Sequence, residues 1–587
     1  MTLALAVTLA LGAFCLFPPV SGNLRLEYSF WGAAGALLVL WLLLRQRVAK
    51  TGRELSYEFV ANKVHWVQPL MQGCVYVYWG IYWPPVFDYA PMIGAQLLFA
   101  YALDMLVCWW RRDKWILGFG PFPIILSTNL FLWFREDWFF LQFLMVATGV
   151  LGKEFLKWKR DGRVVHIFNP SALALFVFSV GLILTHRTDI SWGEQVAKTI
   201  EDPAHIYLEI FLVGLVVQAL FSVTLVTLSA AATLCVLGLA YTHATGVYNF
   251  VDSNIPAAVF LGLHLLVTDP ATSPKTTPGK IAFGGLYGAG VFALYPFLAW
   301  LNIPEFYDKL LCVPVLNLTV RGMDRASRAI SARLRMPAWI SEMSLRQANA
   351  VHMAVWIALF ASMTATGFMK KQLDHPGGHA EFWEKACKEG RLNGCREWVR
   401  ALKISCAYQG AAACAAMGRL QDEGRLVARD RLMAGKNFGR ACDLGLAQGC
   451  ASLAAFVQRG GEDVFSRACA GGDGVSCFIL GGQMDPTRAA ALYERSCAAG
   501  WVRGCGRLGE FYQQGEGIPV DLPRAMDNYQ KGCEGGDAAS CAGAAQMFRR
   551  GIGVAQNEMV ASQLMARACQ LGLRDACPGG GPRGAAP

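Results

Sequence analysis

Charge is scarce in this chain: 16% of its 587 residues are Asp, Glu, Lys or Arg, against about 25% in an ordinary soluble protein. The deficit is local. Runs such as 30–44, 92–110, 139–150 and 173–184 carry almost no charge, whereas the region after residue 380 is ordinarily polar. Two domains of different solvent class follow, the first of them in lipid. A cationic leader is also missing. Residues 1–17 are apolar, carry no basic residue and end at Pro18-Pro19, which reads as a first membrane helix rather than a cleaved signal. No nucleotide-binding fingerprint is present, because Gly118-Phe119-Gly120 lacks the strand-to-helix context of such loops. Nor is there a basic nucleic-acid face. The net charge is +10, but many lysines and arginines fall in short loops between apolar runs, which is the positive-inside pattern of membrane proteins.

About 20 apolar residues span a bilayer. The runs near 2–17, 28–44, 64–82, 91–110, 116–134, 139–152, 169–185, 205–222, 224–242, 253–268, 281–300, 304–320 and 348–367 therefore read as about thirteen crossings. With the N-terminus inside, the cytoplasmic loops hold twenty-one basic residues. They are Arg45, Arg47, Lys50, Arg53 and Lys63; Arg111, Arg112 and Lys114; Lys153, Lys157, Lys159, Arg160 and Arg163; Lys275 and Lys280; and Arg321, Arg325, Arg328, Arg333, Arg335 and Arg346. The opposite loops hold five: Arg25, Arg135, Arg187, Lys198 and Lys309. That asymmetry sets the orientation. An odd number of spans then places everything after residue 370 outside, so the expected location is a bacterial inner membrane with a periplasmic C-terminal domain.

The cysteines agree with this. After residue 380 every cysteine has a partner eight positions away: Cys387/Cys395, Cys406/Cys414, Cys442/Cys450, Cys469/Cys477, Cys497/Cys505, Cys533/Cys541 and Cys569/Cys577. Cys15, Cys74, Cys108, Cys235 and Cys312, in the apolar part, show no such spacing. A zinc site wants C-x₂₋₄-C and four ligands together, so seven local disulfides in an oxidising compartment are the better reading. Each closes a nine-residue loop, worth ~2–3 kcal/mol on the chain-entropy model. A glycine follows the first cysteine by three residues (Gly390, Gly445, Gly472, Gly500, Gly536, Gly572) or by four (Gly410), as a helix ending in the left-handed conformation requires. The first cysteine of each pair is therefore expected to end one helix and the second to begin the next. First cysteines recur every 36 residues at 497, 533 and 569 and from 406 to 442, while intervals of 27 and 28 flank Cys469 and indicate shortened units. Leu508…Tyr512…Gly515-Glu516-Gly517…Asp521…Ala525…Tyr529…Cys533 reads as helix, turn, helix, and Phe548…Gly551-Ile552-Gly553 repeats the turn one period later. This pattern resembles the cysteine-rich bacterial form of the SEL-one-like family of tetratricopeptide-type repeats, over about residues 380–577. The resemblance implies an α-solenoid that binds a periplasmic protein or cell-wall component. Some members of that family are described as penicillin-binding or β-lactamase proteins, but this region has no Ser-x-x-Lys and no metal cluster, so binding ranks ahead of catalysis.

In the apolar part, three segments break helices with Pro and Gly: 118–123 (GFGPFP), 166–170 (HIFNP) and 268–280 (TDPATSPKTTPGK). Breaks at membrane depth are tolerated where they are buried in protein or line a cavity. The plainer reading is punctuation at helix ends, and physics alone does not choose. Phe168-Asn169-Pro170-Ser171-Ala172, Thr268 to Lys275, Phe283 to Gly288, Pro314 to Asn317 and Asp324 resemble the membrane-embedded D component of Rnf electron-transport complexes and its counterpart, the B component of Na⁺-translocating NADH:quinone reductase. With Tyr78-Trp79-Gly80 and Phe119 to Pro123, the likeness is greater still to UnbU proteins of enediyne biosynthesis clusters, and it covers about residues 50–325. The resemblance implies inverted helical repeats around a flavin site and electron transfer linked to ion movement, with Asn169, Pro170, Thr268, Asp269 and Pro270 holding flavin or another polar ligand. The family's flavin-bearing threonine sequence is missing from the loop at 186–204, and its nearest match, Ala231-Ala232-Thr233, lies in an apolar helix. The flavin expected is therefore non-covalent. Asp104, Glu209 and His264 are ionisable groups within spans, which are functional candidates by default. Each also has a plainer role: facing a loop, lying at an interface or bonding a backbone carbonyl.

The expected fold class is thus all-α. A polytopic membrane domain like the Rnf D component spans 1–325, a basic cytoplasmic linker 326–347 and an added membrane helix 348–367. The repeat domain spans 380–577, and the Gly/Pro-rich tail 578–587 is expected to be disordered. The leading functional expectation is a redox- or ion-coupled membrane protein, served by other membrane redox proteins and fused to a periplasmic binding domain. Its rivals are an UnbU-like metabolite exporter and a penicillin-binding repeat protein on a membrane anchor.

Overall fold

The computed structural model describes residues 1–60, 63–251, 253–333, 343–369 and 374–577. The tail 578–587 and residues 334–342 of the basic linker lie outside the described residues. The chain divides into two compact units, Met1–His379 and Ala380–Pro587.

The first unit is built of apolar helices. Among the described residues five are long and apolar enough to cross a membrane: Leu24–Thr51, Pro85–Arg111, Thr224–Thr245, Thr277–Trp300 and Leu345–Ala365. Three shorter apolar helices are Thr2–Leu16, Pro170–Leu184 and Ile206–Phe221. The expected count of about thirteen crossings is corrected accordingly. Two of the predicted spans hold only nine-residue helices, Pro121–Asn129 and Ala257–Leu265. At 1.5 Å per residue each rises about 14 Å, roughly half of the ~30 Å hydrocarbon core. Both adjoin the Pro/Gly-containing segments, so a continuous apolar run in the sequence is not a continuous helix. The Lys63–Tyr82 helix carries Pro69 inside it, and the run near 304–320 is part of a longer helix, Asp308–Arg333, whose second half is basic.

Thr224–Thr245 and Thr277–Trp300 approach closely because Gly284 and Gly288 leave the backbone bare. A Cβ at Gly284 would collide with the Val226 carbonyl, and one at Gly288 would lie 2.6 Å from the Ala230 oxygen. Small residues four apart are how membrane helices pack without side chains between them.

The all-α reading misses two small sheets in the predicted cytoplasmic loops. Ser56–Phe59 pairs in parallel with Lys114–Leu117. Lys157–Arg160 pairs antiparallel with Arg163–His166 across Asp161-Gly162, both at positive φ. Asp-Gly at a two-residue turn is the strongest short hairpin signal, and it was legible in the sequence.

The second unit is built of twelve short helices among the described residues, from Ala380–Lys388 to Glu558–Gln570, most of them 13 or 14 residues long. All seven predicted disulfides are present: Cys387–Cys395, Cys406–Cys414, Cys442–Cys450, Cys469–Cys477, Cys497–Cys505, Cys533–Cys541 and Cys569–Cys577. Their Cα separations lie between 4.3 and 4.8 Å. The first cysteine of every pair is the penultimate residue of its helix, as in Ala380–Lys388 and Glu558–Gln570. For the second cysteine the expectation is corrected, because it does not open the next helix. Cys414, Cys450, Cys477, Cys505 and Cys541 each stand fourth in theirs, a full turn inside. Cys395 stands second in Gly394–Ala407. Cys577 enters no α-helix and follows the single 3₁₀ turn Arg574–Ala576. One turn of helix lies between, because the chain must first reverse before the second sulfur faces the first.

Gly390, Gly445, Gly472, Gly500, Gly536 and Gly572 all have positive φ. Six-to-one bonds such as Trp501 N–H to the Ser496 carbonyl (3.0 Å) and Asp473 N–H to the Ala468 carbonyl (3.0 Å) close the helix ends. At the second pair the glycine rule is corrected too: Gln409 takes the left-handed position (φ 68°), not Gly410. The turn keeps its place three residues after the cysteine, and Gly410 is small because a Cβ there would strike Ser405. The shortened units around Cys469 arise where Val457–Gly461, with Gly460 at φ 83°, joins Ala447–Phe456 to Glu462–Ala470 without a longer loop.

Candidate functional site

The three helix-breaking segments converge. Phe119, Gly120 and Pro123 from the first, His166, Asn169 and Pro170 from the second, and Thr268, Asp269, Pro270 and Ala271 from the third line one cavity of about 370 Å³. All five sequence-predicted ligand residues are on its wall. That volume sits at the small end of the range for small-molecule sites.

Each break is held by its own chemistry. Asn169 caps the Pro170–Leu184 helix, its Oδ1 accepting from Ser171 N–H (3.0 Å) and Ala172 N–H (3.3 Å). Its Nδ2 donates to the Leu266 carbonyl at 2.9 Å, fastening the second break to the third. Its own N–H donates to Asn317 Oδ1 at 3.1 Å, while Asn317 Nδ2 donates to the Thr272 carbonyl at 3.2 Å. Asp269 turns the chain by accepting from Ala271 N–H and Thr272 Oγ1, each at 3.0 Å, and its Oδ2 lies 3.0 Å from His166 Nε2. Thr268 Oγ1 donates to the His264 carbonyl at 2.6 Å.

A buried ion pair clamps the third break from behind. Arg160, on the β-hairpin, lies 2.7 Å from Asp324 and donates to the Ala271 and Ser273 carbonyls. Both side chains are almost wholly buried, at 5% and 3% exposure. Asp324 Oδ1 accepts the Lys275 N–H at 3.0 Å. Further out, the hydrogen bond from Lys275 holds the Asp161 carboxyl below its ordinary range. Asn317 and Asp324, singled out in the sequence only by resemblance, are thus the groups that fix the breaks in place.

Sequence reasoning missed Gln68, Ser127, Lys153 and Phe221, which also stand on the wall. Lys153 was legible as a basic loop residue, but nothing in its spacing tied it to the breaks. The other ionisable candidates do not line the cavity. Asp104 accepts from Trp115 Nε1 at 2.8 Å. His264 is fully buried, with Nδ1 2.8 Å from the Phe260 carbonyl. Glu209 stands in the first turn of Ile206–Phe221. Thr233, the nearest likeness to a flavin-bearing threonine, donates to the Ser229 carbonyl inside its own helix and is also absent from the wall. Among the described residues no cluster of His, Cys, Asp and Glu is fit to hold a metal ion.

The comparisons with known proteins bear on the second unit. Residues 411–446, 479–501, 502–537 and 538–573 match the Sel1 repeat model, and no family match supports the Rnf or UnbU likeness of the first unit. No curated protein matches. Among solved structures, a Sel1 repeat protein from Oxalobacter formigenes is 20% identical, over 34% of this chain and 84% of that one, at a TM-score of 0.21. A protective antigen of uropathogenic Escherichia coli displaying an SLR fold is 20% identical, over 39% and 56%, at 0.21. Helicobacter pylori cysteine-rich protein B is 29% identical, over 20% and 88%, at 0.18. The C-terminal region of this apolar, largely helical chain is an array of Sel1 repeats stapled by disulfides.

Proposed function

We propose that this chain is a multi-pass inner-membrane protein that carries its Sel1 repeats on the periplasmic side, where they bind another protein. The observation that carries this reading is the pairing of every cysteine of the repeats in a local disulfide, next to a unit with five membrane-length apolar helices. Disulfides of this kind persist in oxidising compartments, and solenoid repeats offer extended surfaces for protein recognition. A photo-crosslinking residue placed at Tyr408 or Met559, which are 79% and 73% exposed, should capture a periplasmic protein in the native host. Capture of cytoplasmic proteins alone would overturn the reading.

For the membrane unit we propose that the cavity between the three breaks holds a polar, ring-bearing ligand. A non-covalent flavin is the form that the likeness to the Rnf D component implies, with electrons delivered by other membrane redox proteins. The wall suits it, because Phe119 and Phe221 supply ring surfaces and Gln68, Ser127 and Thr268 supply polar groups. A flavin bound there would bring one- and two-electron chemistry; the chain's own part is to orient it and keep it from water. Protein purified from its native host should be yellow, lose the colour on acid precipitation and hold less flavin as Asn169→Ala or Asp269→Ala. Colourless protein would leave the metabolite-export reading in its place.

A further inference from the structure

We infer that the cavity at the three breaks selects an aromatic anion, a ring bearing a carboxylate or phosphate, and that Lys153 with Gln68 makes the selection. This rests on the reading of the cavity as a ligand site and adds the charge of what enters it.

Most polar groups on the wall already have partners. Helix N-termini attract anions when their N–H groups are free, but here they are spent or missing. The Pro170–Leu184 helix is capped by Asn169, which takes the Ser171 and Ala172 N–H groups. The Pro121–Asn129 helix opens Pro121-Phe122-Pro123, so two of its first three residues have no N–H, and Phe122 N–H already bonds the Phe119 carbonyl. The carbonyl end of Ala257–Leu265 is occupied too: the His264, Leu266 and Val267 oxygens accept from Thr268, Asn169 and Ser273. Asp269 Oδ2 and His166 Nε2 face each other at 3.0 Å, and the Asp269 carboxyl also accepts from Ala271 N–H and Thr272 Oγ1, so its oxygens are engaged within the wall.

Two long polar side chains remain. Lys153 and Gln68 are half-buried on the wall, and neither makes a hydrogen bond or ion pair among the described residues. The contrast with the neighbouring basic residues is sharp. Glu154 is shared by Arg111, Arg112 and Lys157 at 2.7 to 3.1 Å, and Lys153 is not among its partners. A half-buried ammonium on a wall that includes Phe119, Ile124 and Leu265, in an ion pair with no carboxylate among the described residues, gains from an anion brought to it. A neutral ring would fill the same apolar wall and leave that ammonium unanswered. Charge discrimination therefore falls to Lys153, with Gln68 the other unspent hydrogen-bonding side chain on the wall.

The test uses the full chain in detergent with 2-naphthoate and its neutral isostere 2-naphthamide. Calorimetry should show the carboxylate binding at least about tenfold more tightly, as a charge-assisted hydrogen bond allows. Lys153→Met should bring the ratio close to unity, and Lys153→Arg should keep the preference. Independently of any variant, 2-naphthoate should shield Lys153 from acetylation by acetic anhydride, read by mass spectrometry. Lys157, already tied to Glu154, should not be shielded. Equal binding of the two probes by the unaltered protein overturns the inference while leaving the cavity a ligand site. Binding of neither overturns the inference and the ligand-site reading together.

Discussion

Asp324 illustrates how little of a residue's role its neighbours in sequence disclose. It lies in the basic second half of the Asp308–Arg333 helix, and only a family likeness drew attention to it. In the folded chain it neutralises Arg160, from a hairpin far earlier in the chain, and that guanidinium in turn grips the Ala271 and Ser273 carbonyls. Removing one member of a buried pair strands the other charge, at a cost of about 3–5 kcal/mol. Asp324→Ala should therefore lower the melting temperature in detergent markedly, and Arg160→Met with Asp324→Leu should recover much of the loss. A single variant as stable as the parent would show that the pair does not hold the third break. Asn169 and Asp269 were legible because Asn-Pro and Asp-Pro interrupt apolar runs visibly. Lys153 and Gln68 were not, because a residue's lack of a partner is a property of the folded chain alone.

Among the elements, the cysteine-paired helices were the most legible part of the molecule. A period of 36 residues and a glycine three positions after most first cysteines are local signals, and local signals survive without tertiary context. The structure adds side-chain caps at Asp473, Asp485, Asp521, Asp537 and Asn557, which accept from the first-turn N–H groups of their helices. The pairing was legible but the phase was not. Cys414, Cys450, Cys477 and Cys505 sit a turn inside their helices, because the cap that starts the helix precedes the sulfur. At Gln409 the turn geometry overrode the glycine rule, since the disulfide fixes where the chain must reverse. The apolar helices were legible as apolar runs but not in number, because hydropathy does not register a helix that stops halfway. The stapled turns also carry a measurable share of stability. Replacing both Cys533 and Cys541 with Ser should cost ~2–3 kcal/mol and lower the melting temperature of the repeats by several degrees. Non-reducing peptide mapping should find seven links eight residues apart, from Cys387–Cys395 through to Cys569–Cys577; long-range links would contradict the scheme.

For the whole molecule, the two units ask different solvents to hold them. The first pairs many of its buried polar groups and exposes apolar side chains such as Leu42, Leu43, Leu184 and Trp300, whereas the second keeps its small cores under disulfides. A chain built this way is compatible with a bilayer around one unit and an oxidising compartment around the other. On the proposed topology, the distribution of lysine and arginine says which side is which, and it puts Arg333 and His379 on opposite faces of the membrane with Leu345–Ala365 between them. Alkaline phosphatase, which folds only where disulfides form, reports that difference directly. Fused after His379 it should be active, and fused after Arg333 inactive. Activity after Arg333 with none after His379 would place the repeats in the cytoplasm and contradict the account.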